Sequence, residues 1–195
     1  MSLDHAILGF LQYEPLSGYD LKARFDVSVQ HFWPADQSQI YRTLAKLAEE
    51  GFARVEIVEQ EERPDRKVYH LTEAGRAELR RWLSAPLEMK AGRSAPLVQV
   101  FFSGQLADEE ILGMFRRAAA ECRDSLRELQ RVPAEAQPFT AQIKAPRETW
   151  CWFLTLECGR RVTEARLAWL EDVMARIERG EIPRKGEKEE VTCKR

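Results

Sequence analysis

Apolar positions along the first third of the chain recur at helical spacing. Leu3, Ile7, Leu8 and Leu11 share one face of a helix over residues 3–13. Glu14-Pro15-Leu16-Ser17-Gly18 interrupts it. Ser17, followed three residues later by Asp20, has the form of a capping box and opens a second helix with Leu21, Phe25 and Val29 inward. Pro34 disfavours helical backbone at Trp33, so this helix ends at Phe32-Trp33-Pro34. Asp36 or Ser38 can cap a third helix, in which Ile40, Leu44 and Leu47 face inward. Gly51 is placed to stop it.

The period then changes. Residues 52–59 read largely as a strand, 60–65 as a polar turn and 66–71 as the returning strand, a hairpin with a charged tip. Thr72 caps a fourth helix with Leu79 and Leu83 on its core face. Three short helices, a hairpin and another helix is the order of a winged helix, whose helix-turn-helix lies before the hairpin. Residues 1–84 are therefore expected to form a winged helix-turn-helix that binds duplex DNA, and 85–96, with two prolines and a glycine, a linker.

Beyond the linker the pattern is helical only. Residues 97–105 form a short apolar helix. Asp108 caps a long one carrying Leu112, Phe115, Ala119, Cys122, Leu126 and Leu129, and 133–146 reads as a polar break. The last helix, about Arg147 to Arg179, carries two stripes. One is Phe153, Leu156, Thr163, Leu167, Leu170, Met174 and Ile177; the other is Leu154, Cys158, Val162, Ala165, Trp169 and Val173. One long partner helix does not cover both, which points to dimerisation through the C-terminal helices; antiparallel packing inside one subunit is the competing arrangement. Phe153, Leu156, Leu167, Leu170, Met174 and Ile177 are the expected dimerisation residues. The fold class is mainly α with a small β-hairpin wing: a DNA-binding domain (1–84), an α-helical dimerisation domain (97–182) and a charged tail (183–195).

Composition narrows the function. The 195 residues are 44% hydrophobic, enough for a core. No apolar run approaches the ~20 residues that span a bilayer, and the N-terminus lacks a basic signal-peptide start, so a cytoplasmic location is expected. Cys122, Cys151, Cys158 and Cys193 are widely spaced, and three of them fit helical patterns as small buried hydrophobes. His5, His31 and His70 show no metal-site or triad spacing, and no glycine-rich phosphate loop occurs. An enzyme, a metal and a cofactor are not expected. Charge argues against DNA: the net is −2 overall, and residues 1–84 hold eleven Lys and Arg against fourteen Asp and Glu, a net of −3. Any DNA surface must be a local cationic patch.

That patch is sought on the third helix. Gln37, Ser38, Gln39, Tyr41, Arg42 and Lys46 remain once its apolar residues face inward. Gln can read adenine and Arg guanine, whereas the Ser38 and Tyr41 hydroxyls suit phosphates. Tyr19 and Lys22 on the second helix are candidate backbone contacts, and Arg63, Arg66 and Lys67 at the hairpin suit a neighbouring groove. Phe101, Phe102, Trp150 and Trp152 are either core or the lining of a pocket for a small effector.

Several segments taken together are recognisable: Ala6-Ile7-Leu8-Gly9-Phe10-Leu11, Ser17-Gly18-Tyr19-Asp20-Leu21-Lys22, Phe32-Trp33-Pro34, Ser38-Gln39-Ile40-Tyr41-Arg42-Thr43-Leu44, Leu47-Ala48-Glu49-Glu50-Gly51 and Tyr69-His70-Leu71-Thr72-Glu73-Ala74-Gly75. In this order and spacing they resemble the PadR family of bacterial transcriptional regulators, over nearly all of residues 3–84. The helical remainder looks like the C-terminal dimerisation domain of its longer subfamily. The resemblance implies a homodimeric, repressor-like protein on a near-palindromic operator in double-stranded DNA, with binding weakened by a small aromatic effector. The alternative is a winged helix that binds a protein partner without reading DNA.

Overall fold

Ser17 both pairs and caps. It ends a two-residue strand, β1 (Leu16–Ser17), and its side chain accepts from the Asp20 backbone to start α2 (Gly18–Asp26). The computed structural model in which this is seen describes residues 2–59, 65–87, 94–143 and 145–183. Arg63 at the wing tip, six residues of the expected linker and nearly all of the expected tail lie outside them.

Helix α1 (Ser2–Leu11) buries Ile7, Leu8 and Leu11. Helix α2 ends at Asp26, earlier than the apolar pattern suggests, and turns carry the chain to Trp33 with Val29 still against the core. Helix α3 (Gln37–Glu49) starts on a complete capping box, Asp36 with Gln39, and stops before Gly51, whose φ of 77° is the left-handed conformation that glycine adopts without steric cost. Strands β2 (Ala53–Val58) and β3 (Arg66–Leu71) form the antiparallel hairpin. β1 pairs with β3, Leu16 opposite Tyr69, giving the sheet order β1-β3-β2. Two residues are too short to show a period, so β1 had no sequence signal.

Helix α4 (Glu73–Leu83) is capped by Thr72, which also donates to the Gly51 carbonyl at 2.7 Å. Gly75 permits this junction: a Cβ there would lie 2.1 Å from the Phe52 carbonyl oxygen. Leu79 is buried, but Leu83, expected on the same face, is 65% exposed, since the last turn of α4 runs past the core. Ile7, Leu8, Leu21, Phe25, Ile40, Leu44 and Leu47 are almost fully buried together, each stabilising the fold by about 1.5–3 kcal/mol. This is a winged helix.

The C-terminal half is helical: α5 (Ala95–Phe102), a 3-10 turn (Ser103–Gln105), α6 (Asp108–Ile143) and α7 (Pro146–Glu178). The polar break expected over 133–146 is a correction. α6 runs through Pro133 and Pro138 to Ile143. Each proline removes one backbone hydrogen bond, but Ala134, Glu135, Ala136 and Gln137 between them are strong helix formers.

The chain divides into two compact units. One comprises residues 1–88 with 132–155, the other 89–131 with 156–195. In the second, Ile111, Phe115, Ala119 and Cys122 of α6 meet Leu170 of α7, with Leu167, Val173, Met174 and Ile177 packed around them. Arg116 pairs with Glu178 at 3.3 Å and Arg123 with Glu171 at 2.6 Å. One partner advances along α6 as the other retreats along α7, so the helices are antiparallel. The intrasubunit arrangement left open by the sequence is thus present; it takes mainly the first stripe, with Val173 of the second and the edge of Trp169 against Phe115. Cys122 is buried as expected; Cys151 and Cys158 are exposed, because they stand on faces of α7 that this packing leaves uncovered.

Candidate nucleic-acid interface

Capping decides which end of α3 can meet an anion. Asp36 accepts from the Gln39 backbone at 2.7 Å, and the Gln39 side chain accepts from the Asp36 backbone at 3.0 Å. The positive end of the helix dipole is therefore presented with Gln37 and Ser38 exposed beside it. Gln39 cannot both cap and read a base with its whole amide, so its expected role as a bidentate reader is reduced.

Acidic neighbours divide the expected cations. Lys46 donates to Asp4 at 2.7 Å, with Glu50 at 3.8 Å, and the hydrogen bond to Asp4 is the main cause holding its pKa above the ordinary lysine value. Lys22 pairs with Asp26 and Arg66 with Asp20. Burial pushes the Asp20 carboxyl up, but hydrogen bonds from the Ser17 hydroxyl and backbone and from Arg66 outweigh it, and the group titrates below its usual value. Arg66 thereby ties the wing to the start of α2. Arg42 is different: its Nε donates to the Ser38 carbonyl at 3.3 Å, and it has no acidic partner among the described residues. Lys67 is likewise exposed and without one among them.

Tyr19 is 72% exposed at the start of α2. Tyr41 is half-exposed, with its ring lying over Gly18. Burial first, and the neighbouring Tyr41 phenol second, raise the pKa of Tyr69 beneath it. Tyr19, Gln37, Ser38, Tyr41 and Arg42 thus form an exposed strip along the helix-turn-helix, while Lys22, Lys46 and Arg66 are held by carboxylates. Ala45 and Glu49 are also exposed on α3 and were not among the expected contacts; their position opposite Ile40 and Leu44 was readable from the helical period.

The other expected residues fall as follows. Leu167, Leu170, Met174 and Ile177, expected at a dimer interface, pack within their own chain, Leu156 is half-buried and Phe153 is exposed. The second stripe is uncovered over most of its length: Leu154, Cys158, Val162 and Trp169 are exposed, while Val173 packs on the core, and Leu97, Val98, Phe101 and Phe102 on α5 are exposed too. Trp152 packs on the N-terminal core, its ring edge-on to Tyr13 at 5.7 Å, and Trp150 is exposed. A cleft of about 490 Å³ in the first unit is lined by Leu16, Ala23, Val27 and Pro138 together with Arg24 and Arg66, which pair with Glu14 and Asp20 there, and by Glu135. Among the described residues no group of three or more His, Cys, Asp or Glu is placed to hold a metal, and no helix is long and apolar enough to cross a membrane.

Residues 7–81 match the transcriptional regulator PadR-like family, and residues 93–178 match the virulence activator alpha C-terminal family. A Mycobacterium tuberculosis protein described as a probable transcriptional regulator is 32% identical over 89% of this chain and 96% of its own length. The negative transcriptional regulator PadR of Bacillus subtilis is 30% identical over 91% of this chain and 98% of its own. The crystal structure of that PadR with operator DNA superposes with a TM-score of 0.77 at 29% identity, covering 91% of this chain and 99% of that one. Its structure with p-coumaric acid gives 0.72 at 26% identity, over 91% and 99%.

Proposed function

We propose, from the premise that this chain belongs to the transcriptional regulator PadR-like family, that it is a homodimeric repressor that reads a near-palindromic operator through α3. The carrying observation is Arg42, an exposed guanidinium without an acidic partner among the described residues, on a helix whose capped N-terminus is exposed. Ser38, Tyr19 and Tyr41 are assigned to phosphates, Arg42 to a base edge, and Lys67 with Arg63 to the wing contact. We read the chain as a regulator without catalytic activity of its own.

The dimer is assigned to the stripe of α7 that carries Leu154 and Val162 and to α5, where Leu97, Val98, Phe101 and Phe102 are exposed. Two recognition helices about one DNA turn apart, roughly 34 Å, then read two half-sites. A relative bound to p-coumaric acid supports a small aromatic acid as effector.

Selection of bound duplexes from a random pool tests the reading. A palindromic consensus, with affinity that falls steeply as salt rises, is expected. The net negative N-terminal segment favours a second reading, a protein partner on α3. Unselective, salt-insensitive binding would point there.

A further inference from the structure

Four exposed residues of α3, Ser38, Arg42, Ala45 and Glu49, stand at positions i, i+4, i+7 and i+11. That spacing places them on one helical face, opposite Ile40, Leu44 and Leu47. On the side of this face away from Tyr41 the polar residues are occupied. Gln39 serves the cap, Thr43 donates to the Gln39 carbonyl at 2.8 Å, and Lys46 is held by Asp4. The Arg42 Nε bond to Ser38 leaves its two terminal nitrogens available to another acceptor.

We propose that Ala45 is a base-reading residue, packing its methyl on the C5-methyl of a thymine beside the guanine read by Arg42. This rests on the DNA-reading function proposed above. A lone methyl cannot address a hydrogen-bonding edge, and the thymine methyl is the apolar group that the major groove displays. Three residues of helix advance about 4.5 Å, comparable with one base step of roughly 3.4 Å, so the two contacts fall on neighbouring base pairs. Glu49, one turn further, carries a carboxylate that phosphates repel, and the reading strip ends at Ala45.

The test uses the full chain. The best duplex from a random-pool selection is resynthesised with deoxyuridine for each thymine in turn, which removes the methyl alone. In each half-site one thymine, next to a guanine whose replacement is felt by wild type and not by Arg42→Ala, is expected to weaken binding about fourfold when changed to uracil. Ala45→Gly binds the thymine and uracil duplexes equally. Ala45→Ser, which keeps the helix more stable, also loses the discrimination. Equal binding of thymine and uracil duplexes by the wild type at every position overturns the role of Ala45 while leaving DNA reading intact. A pool with no enriched sequence overturns both.

Discussion

The ring of Tyr41 lies over Gly18 so closely that a Cβ at position 18 would stand 2.6 Å from its Cε1. This contact joins the first residue of α2 to the exposed side of α3, and it holds a phenol at the edge of the reading face. Glycine gives the ring this seat by leaving space, not by backbone conformation.

Gly18→Ala is therefore expected to push the Tyr41 ring outward. Operator affinity falls about tenfold, the scale of one hydrogen bond to a charged group, while the melting temperature changes little. Fluorescence anisotropy with the selected duplex, set beside thermal melting, measures both. Tyr41→Phe keeps the ring over Gly18 and should lose a similar factor, since only the hydroxyl is gone.

Asp4→Ala removes the acceptor that holds Lys46 and leaves only Glu50, at 3.8 Å, beside its ammonium. The Asp4–Lys46 pair is solvent-exposed on the lysine side and screened by water, so stability is nearly unchanged. The released ammonium can reach phosphate, so DNA binding tightens and the slope of log affinity against log salt steepens by about one. A titration series at several salt concentrations reads this directly, and an unchanged slope would show that Lys46 stands too far from the backbone.

Glu78 accepts from Arg81 at 2.7 and 2.6 Å and from His5 at 3.0 Å, and these bonds, that of Arg81 first, lower its pKa from 4.5 to about 2. A carboxylate depressed in the folded state contributes stability that is fully present above its unfolded pKa. The contribution fades as pH falls from about 4.5 towards 2, because the unfolded chain takes up the proton first. Glu78→Gln should flatten the stability profile across that window and leave its shape above pH 6 unchanged, as measured by urea unfolding at a series of pH values.

Val162 and Leu170 separate the two stripes of α7. Val162 is exposed, so Val162→Glu is expected to give a monomer by light scattering that keeps its helical circular dichroism. Leu170 is buried against α6, so Leu170→Ala is expected to cost about 3 kcal/mol of stability instead. A Val162→Glu protein that stays dimeric at micromolar concentration would place the interface elsewhere.

The Ser17–Asp20 capping box and the stop at Gly51 were legible because their partners lie three residues apart or their geometry belongs to one residue, whereas the cap of α3 stayed open between Asp36 and Ser38 until the structure showed the Asp36–Gln39 box. The hairpin was legible because period two differs from period 3.6. The prolines of α6 misled because their cost is local, while the helix formers between them also count. The cations misled for another reason: Lys46 is 42 residues from Asp4 and Arg66 is 46 from Asp20, separations at which no sequence pattern operates.

The sequence by itself determined the elements of the winged helix, their order, the inward face of α3 and the presence of two apolar stripes on α7, because periodicity and capping are properties of neighbouring residues. The tertiary structure alone decided which stripe α6 covers, that β1 joins the sheet, and which of the basic residues keeps its charge free. Those outcomes depend on which side chains from distant segments arrive together, and a buried methyl or a neutralised guanidinium has the same letters as an exposed one. Arg42 and Lys46 looked alike on the helix; Asp4, brought in by the packing of α1, set them apart.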